Sequence, residues 1–184
     1  MEPVLVHINS YPGVGKLTIA RLLADRLGAR VLDNHSVYNV AFALTEFKSP
    51  AFYDAVREVR SAAYRLVMDV ARDVPVLLTN AHTQESTWGN ECWDHAIDLA
   101  ARTGRAHCVV LLDCSRAENA RRIQSVSRAE LRKPRDPKMF RQGETDWLLI
   151  ERGADRLMRL DVTHLSAEQA AEAILTWLDP DRPG

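Results

Sequence analysis

The chain has 184 residues, and one domain spanning residues 1–184 is the expectation for that length. Hydrophobic residues make up 46% and charged residues 27%, which excludes a disordered chain, and the formal net charge of −1 supplies no bulk positive field for nucleic acid or an anionic membrane. No apolar run reaches the roughly 18 residues that span a bilayer, the amino terminus lacks the basic segment of a signal peptide, and three cysteines without paired spacing indicate reduced thiols, so we expect a cytoplasmic protein.

Strands and helices alternate along the chain. Short apolar runs predict strands at residues 4–8, 30–33, 76–79, 109–112 and 159–162. Helical spacing and capping residues predict a helix ending near Leu27, a long helix after Ser49, and helices opening at Asn90, Ser115 and Ser166. The order βαβαβαβαβα predicts an α/β fold in which helices cover both faces of a parallel sheet.

Positive charge is concentrated in one segment. Residues 116–141 carry a formal charge of +6, so the rest of the chain carries −7. Such a segment in a nearly neutral protein favours local anion binding over general polyanion binding. The alternative is a solvated helix face followed by a loop.

A glycine-rich turn joins the first predicted strand to the first predicted helix. Residues 9–18 read N-S-Y-P-G-V-G-K-L-T. Backbone amides and a helix N-terminus at such a turn can surround a phosphate, and Gly13 and Gly15 permit the backbone conformations that this requires. Lys16 supplies a point charge for β- and γ-phosphates. The alternative is a helix-opening turn with a solvated lysine.

This turn resembles the loop x-x-P-G-x-G-K of the P-loop small-molecule and nucleotide kinases, such as shikimate, gluconate and adenylate kinase. The resemblance implies a three-layer P-loop NTPase fold with a five-stranded parallel sheet in the order 2-3-1-4-5. It implies transfer of the γ-phosphoryl group of ATP, with Mg²⁺, to a hydroxyl or phosphate of a small-molecule acceptor. Phosphate contacts are then expected from Pro12, Gly13, Val14, Gly15, Lys16, Leu17 and Thr18.

Two features depart from the family pattern and leave other functions open. Leu17 replaces the Ser/Thr that usually ligates Mg²⁺, although Thr18 follows directly and can take a phosphate or the metal. The third predicted strand also lacks a terminal acid. A nucleotide-binding module without phosphotransfer is therefore the alternative, and a kinase acting on nucleic-acid ends is a further one that the near-neutral charge opposes.

Asp33 ends the second predicted strand, at the carboxyl edge of the sheet beside the glycine turn. By resemblance, it holds the metal through water or orients the attacking hydroxyl. The alternative is a helix N-cap for the segment after Asn34. His35 is either a substrate contact or part of a local cap.

Substrate contacts are expected from the long helix and from the loop after the third strand. Tyr53, Arg57, Arg60 and Tyr64 fall at i, i+4, i+7 and i+11, a stripe suited to a carboxylate or phosphate of the acceptor, or alternatively a snorkelling margin. Asn80, His82 and Gln84 follow the third strand, where we expect a substrate to enter; the alternative is that they are satisfied polar residues of a loop. Sugar acids, shikimate-like acids, nucleotides and aminoglycoside-like antibiotics stay open as acceptors.

The basic segment takes the position of the lid in the resembling kinases, at about residues 128–143. Lid closure brings arginines to the transferring phosphoryl group and excludes water. Arg128 and Arg132 are the expected catalytic arginines, with Lys133, Arg135 and Lys138 as further candidates. The resemblance places Arg121 or Arg122 near the adenine, which the loop at Asp161 and Val162 passes.

Overall fold

The computed structural model describes residues 2–124 and 148–181. Five parallel strands form one sheet in the order β2-β3-β1-β4-β5, which confirms the predicted fold. The two central strands next to each other, β1 and β3, are buried along their whole length, as parallel strands covered on both faces should be. The strands are β1 (Val4–Ser10), β2 (Arg30–Asp33), β3 (Val76–Asn80), β4 (Ala106–Asp113) and β5 (Arg156–Asp161).

Helices cover both faces of the sheet. They are α1 (Lys16–Leu27), α2 (Asn34–Leu44), α3 (Pro50–Met68), α4 (Thr87–Thr103), α5 (Arg116–Ile123) and α6 (Ala167–Leu178). Successive side chains of a strand point to opposite faces. Val6 and Ile8 of β1 pack with α1 and α6, whereas Leu5 packs with α3 and α4.

The starts of two helices differ in detail from the sequence prediction. The helix expected to open at Asn90 begins at Thr87, because the Ser86 hydroxyl accepts from the Gly89 amide and caps it, while the Asn90 side chain donates to the carbonyls of Gln84 and Ser86. Helix α2 was not predicted. Its apolar side chains, such as Val37 and Ala41, pack against α3 rather than the sheet centre.

The capping residues of the last two helices behave differently from each other. Ser166 and Gln169 form the predicted reciprocal capping box. Ser115 caps α5 by accepting from the Glu118 amide, but the Glu118 carboxylate pairs with two arginines of its own helix instead of the cap backbone.

The fold creates a crevice at the carboxyl edge of the sheet. The neighbours β1 and β3 are followed by helices on opposite faces, α1 and α4. Loops that leave adjacent strands in opposite directions leave a gap between them, where ligands bind in open α/β sheets. Both predicted sites lie along this edge.

Two findings concern the cellular setting. Within residues 2–124 and 148–181, the structure has no helix whose length and apolar character would let it cross a membrane. The three cysteines, all within these residues, are buried and form no disulfide.

Candidate functional site

The glycine turn between β1 and α1 has the backbone of a phosphate-binding loop. Gly13 and Gly15 have φ angles of 94° and 110°, in the left-handed region that favours glycine. Gly15 is the N-cap of α1 and has no side chain to occupy the first amides of that helix. Tyr11 and Val14 are buried in the core and anchor the turn from below. The half-buried Lys16 folds back, with Nζ 3.5 Å from the Tyr11 carbonyl oxygen.

Helix α5 supports this turn from one side. The Asn119 amide donates to the Pro12 carbonyl at 2.9 Å, and the Arg122 guanidinium donates to the Val14 carbonyl at 2.8 Å. Ile123 packs so tightly on Gly13 that a Cβ there would lie 2.4 Å from Ile123 Cγ1. Asn119 was not anticipated from the sequence. The sequence signal for Asn119 was a polar residue on the inward face of α5, where it is only 3% exposed.

Of the residues predicted near the adenine, Arg122 and Val162 are at least half-buried, whereas Arg121 and Asp161 are exposed. Arg122 joins the turn to the loop after β5, because it also donates to the Val162 carbonyl at 2.8 Å. Arg121 is largely exposed and pairs with Glu118, and Asp161 accepts from Thr163. Val162 is buried. The predicted lid residues Arg128, Arg132, Lys133, Arg135 and Lys138 lie outside the described residues.

Asp33 serves as the N-cap of α2, which is the alternative that the sequence left open. One carboxylate oxygen accepts from the Thr79 hydroxyl at 2.5 Å, and the other accepts from the His35 amide at 3.3 Å. These bonds fix the orientation of the carboxylate at the carboxyl edge of β2 and leave lone pairs on both oxygens. Capping and a role in the site are therefore compatible.

A cleft that is open to solvent lies beside the ends of β2 and β3. Two predicted substrate contacts, Arg60 and His82, line it, whereas Asp33, His35 and Arg57 do not. The lining side chains come from two strands, three helices and one loop: Leu32, Asn34, Val37, Tyr38, Arg60, Tyr64, Leu78, Asn80, His82 and Cys92. We call this space the cavity.

Arg60 places a buried positive charge in the cavity. It is 6% exposed, and its guanidinium donates to Cys92 Sγ at 2.8 Å and to Glu91 at 3.1 Å. Arg57 takes both Glu91 oxygens at 2.9 and 2.8 Å and stays on the exposed side. These bonds hold the pKa of Glu91 down at about 2, so the carboxylate stays charged and orients both guanidiniums. The stripe predicted on α3 thus divides into an inner and an outer arginine.

The other polar walls of the cavity are neutral at physiological pH. Burial raises the pKa of the Tyr38 and Tyr64 phenols above their ordinary value and raises that of the Cys92 thiol to about 11. The Tyr38 hydroxyl accepts from Trp88 Nε1 at 2.7 Å. Arg60 therefore dominates the charge of these walls.

His82 lies where the cavity meets the phosphate-binding turn. Its pKa falls to about 3, first because of burial and then because of the positive charges of Arg60 and Lys16. Asn9 of β1 fixes the His82 backbone by accepting from its amide and donating to its carbonyl, both at 2.9 Å. Asn9 also donates to the Ile150 carbonyl at 3.2 Å. The sequence analysis did not assign this role to Asn9.

The donors present fit a triphosphate and its magnesium ion. The turn offers left-handed glycines, an N-terminus of α1 free of side-chain caps and a half-buried lysine, which together suit phosphate oxygens. Among residues 2–124 and 148–181, no group of three His, Cys, Asp or Glu side chains forms a metal cage. Mg²⁺ bound to nucleotides needs no such cage, since phosphates and water supply most of its ligands and one or two carboxylates suffice. Thr18 is exposed.

Comparisons with known proteins agree with this geometry. No family model matches the chain. Cytidylate kinase of Corynebacterium efficiens is 32% identical over 100 residues, which are 53% of this chain and 44% of that protein, so the chain spans less than half the length of this relative. APS kinase of Mycobacterium tuberculosis, solved with AMPPNP and APS, superposes with a TM-score of 0.62 at 19% identity, covering 97% of this chain and 98% of that one.

Shikimate kinase of Acinetobacter baumannii, solved with shikimate, gives a TM-score of 0.56 at 17% identity, covering 100% of this chain and 97% of that one. At these identities the likeness establishes the fold. It confirms the P-loop kinase fold that the sequence predicted.

Proposed function

We propose that this protein is a P-loop kinase that transfers the γ-phosphoryl group of ATP to a small-molecule acceptor held in the cavity. The observation that carries the proposal is the position of His82. It lines the cavity, its backbone is hydrogen-bonded to Asn9 at the start of the phosphate-binding turn, and the positive charges of both Lys16 and Arg60 lower its pKa. A phosphate donor and an anion-binding pocket that share a wall are what phosphoryl transfer needs, because its catalysis consists mainly of positioning and charge neutralisation.

The phosphate-binding turn holds the donor in this proposal. The amides at Gly13 to Thr18 surround the β- and γ-phosphates, and Lys16 neutralises the charge that develops as the phosphoryl group leaves. Lys16 Nζ lies 3.5 Å from the Tyr11 carbonyl oxygen at the turn. An anionic phosphate oxygen is a stronger hydrogen-bond acceptor for an ammonium group than a neutral carbonyl oxygen. Arg122 and Asn119 keep the turn in shape through the Val14 and Pro12 carbonyls.

Asp33 is the proposed magnesium or acceptor ligand. Mg²⁺, when bound, screens the charge on the β- and γ-phosphates. Thr79 and the α2 amide at His35 hold the Asp33 carboxylate at the crevice, and its neighbours in sequence, Leu32 and Asn34, line the cavity. Asp33 therefore lies beside the cavity, at the carboxyl edge of the sheet.

The acceptor carries an anionic group in this proposal. Arg60 is buried in a cavity whose other walls are neutral, and a carboxylate or phosphate entering it gains charge-assisted hydrogen bonds from the guanidinium. A nucleoside monophosphate is the first acceptor to test, because the cytidylate kinase of C. efficiens is the curated relative that the chain matches.

The decisive experiment is an ATP-consumption screen over CMP, other nucleoside monophosphates, hydroxylated acids and sugar acids, with Mg²⁺. Lys16→Ala serves as the blank. We expect one class of compound to consume ATP in the wild type and none in the variant. Equal ATP affinity and turnover in the two proteins would reject the proposal.

A nucleotide-binding protein without phosphotransfer is the second candidate, and Leu17 favours it by removing the usual metal-binding hydroxyl. Thermal stabilisation by ATP that ignores Mg²⁺, with no product from any compound in the screen, would select this candidate. The variant Leu17→Ser restores a hydroxyl at this position and provides the matched comparison. If the turn binds the triphosphate, thermal stabilisation of this variant by ATP should depend on Mg²⁺.

A further inference from the structure

A chain of buried polar side chains crosses three neighbouring strands and ends in the cavity. His107 Nδ1 lies 3.0 Å from the Gly153 carbonyl oxygen, and His107 Nε2 lies 3.1 Å from His7 Nδ1. His7 Nε2 lies 2.8 Å from Asn80 Nδ2. His107 is on β4, His7 on β1 and Asn80 on β3, so the chain runs across the sheet from a surface loop to the crevice.

The direction of every hydrogen bond in this series of side chains follows from its outer end, the Gly153 carbonyl. A carbonyl oxygen only accepts, so His107 carries its proton on Nδ1 toward Gly153 and its Nε2 is a bare acceptor. His7 must then donate from Nδ1, which leaves its own Nε2 as an acceptor. The partner of that nitrogen must be the NH₂ end of Asn80 rather than its carbonyl oxygen.

This reasoning requires both imidazoles to be neutral, and their surroundings make them so. His7 is fully buried, and burial followed by repulsion from His107 and His82 lowers its pKa well below the ordinary value. Burial also lowers the pKa of His107, opposed by the Gly153 carbonyl and Asp155. An imidazolium at His107 would reverse the hydrogen bonds to His7 and to Asn80, and an imidazolium at His7 would reverse the hydrogen bond to Asn80.

The surrounding packing holds the two imidazole rings and the carbonyl anchor in place. His7 stacks on Trp93 with ring centroids 4.3 Å apart, and Trp93 Nε1 itself donates to the Arg152 carbonyl at 2.9 Å. Gly153 has a φ of 67°, and a Cβ there would lie 2.6 Å from Ile97 Cδ1. The backbone that presents the Gly153 carbonyl is therefore confined as well.

The far end of the chain is an acceptor that lacks a protein partner. Asn80 lines the cavity and is 8% exposed. Its NH₂ group is directed at His7, and within residues 2–124 and 148–181 the structure shows no hydrogen bond to its Oδ1. An amide oxygen without a protein partner that borders an open cavity is available to accept a hydrogen bond from a ligand group.

We propose that His7 and His107 are positioning residues that hold the Asn80 amide with its carbonyl oxygen toward the cavity, where it accepts a hydrogen bond from a hydroxyl or amino group of the acceptor molecule. The identity of that molecule as a phosphoryl acceptor rests on the proposed function. The orientation of the amide does not. The cavity then recognises its ligand through two contacts. Arg60 binds an anionic group of the ligand, and the Asn80 carbonyl oxygen accepts a hydrogen bond from a hydroxyl or amino group of the ligand.

The orientation is tested by nitrogen-15 NMR on the wild-type protein without nucleotide or acceptor. We expect both His7 and His107 as the Nδ1–H tautomer, and a nitrogen–nitrogen coupling across the hydrogen bond from Asn80 Nδ2 to His7 Nε2. An Nε2–H signal on either histidine, or no coupling to Asn80, would overturn the proposal. That reversed arrangement would make the wall a donor suited to a carboxylate. Since no ATP is present, the result is independent of kinase activity.

The His107→Phe variant tests whether the chain sets the orientation. His7 then has no acceptor for its Nδ1 proton, so we expect loss of the single Nδ1–H form and of the coupling to Asn80. His95→Phe, at an exposed position on α4, is the matched control and should leave both signals unchanged. An unaltered His7 tautomer in folded His107→Phe would contradict a positioning role. If that variant does not fold, the wild-type spectrum alone decides.

Discussion

The phosphate-binding turn and the cavity lie at the same edge of the sheet, but backbone groups form the turn and side chains form the cavity. The turn is one stretch of ten residues, 9–18, and works through its backbone. The cavity gathers side chains from two strands, three helices and one loop. Backbone sites of this kind tolerate different side chains at most positions, whereas a side-chain site changes its ligand with each substitution. We therefore expect the turn to determine which donor binds and the cavity to determine which acceptor is chosen.

Loss of the Lys16 ammonium should have the largest effect. Lys16→Ala should lower the rate of ATP consumption by at least about 10²-fold, since removing one preorganised charge-stabilising donor typically costs 10²–10³ in rate. Steady-state kinetics with the acceptor found in the screen measures this. Lys48→Ala, at an exposed position between α2 and α3, is the matched control and should retain the wild-type rate. A comparable loss in both variants would contradict the role of Lys16.

Arg57 and Arg60 of α3 should differ in their effect on acceptor binding. Arg60→Leu should raise KM for an anionic acceptor by roughly 10- to 100-fold with KM for ATP nearly unchanged, because hydrogen bonds to charged groups contribute about 1.5–3 kcal/mol. Arg57→Leu should change the acceptor KM far less, since Arg57 lies outside the cavity. Equal effects of the two substitutions would contradict this division. A rise in KM for ATP would place Arg60 in the donor site instead.

The two glycines of the turn should differ in their effect on stability. Gly13→Ala should lower the free energy of unfolding by roughly 1–3 kcal/mol more than Gly15→Ala, since overpacking is added to the left-handed strain. The reason is the 2.4 Å approach to Ile123 at Gly13, whereas at Gly15 the nearest atom is Arg122 Nη1 at 4.0 Å. Urea unfolding measures the difference. Combining Gly13→Ala with Ile123→Ala should recover part of the loss, and additive effects would show that the contact is unimportant.

The last prediction concerns the pH dependence of stability and belongs to the cavity side. The pKa values of His7, His82 and His107 are lowered in the folded state. Below pH 6.5 these histidines are therefore protonated in the unfolded chain to a greater extent than in the folded chain. Stability is complete above pH 6.5 and falls as the pH drops, by up to about 1.4 kcal/mol per pH unit for each buried histidine. Unfolding free energies between pH 7.5 and 5 measure the slope. His107→Phe should make it shallower and His95→Phe should not.

The difference between the two regions also explains what the sequence could predict. Gly13, Gly15 and Lys16 are contiguous and follow a strand, so local pattern was enough to place them. Arg60 was found because helical spacing extends over several turns. His7 lies within the apolar run that predicts the first strand, a position typical of a core histidine with satisfied hydrogen bonds, and the structure gives it two such partners.

The partners of His7 were out of reach, because Asn80 and His107 lie 73 and 100 residues away along the chain. Which side chains meet across a parallel sheet depends on strand order and register, and no local pattern encodes them. The same holds for Cys92 beside Arg60, which is separated from it by 32 residues and lies on another helix. Helix α2 could not be predicted from Asp33 alone, because an Asp at the end of a strand fits both a site carboxylate and a helix N-cap.

The glycine that begins α1 couples occupancy to folding. Gly15 provides no side chain to cap the helix, so an anion bound at the turn would accept hydrogen bonds from the first amides of α1. Hydrogen exchange in the first turn of α1 should then be slower with nucleotide bound than in the empty protein. The gain in melting temperature should grow with the logarithm of nucleotide concentration above the dissociation constant.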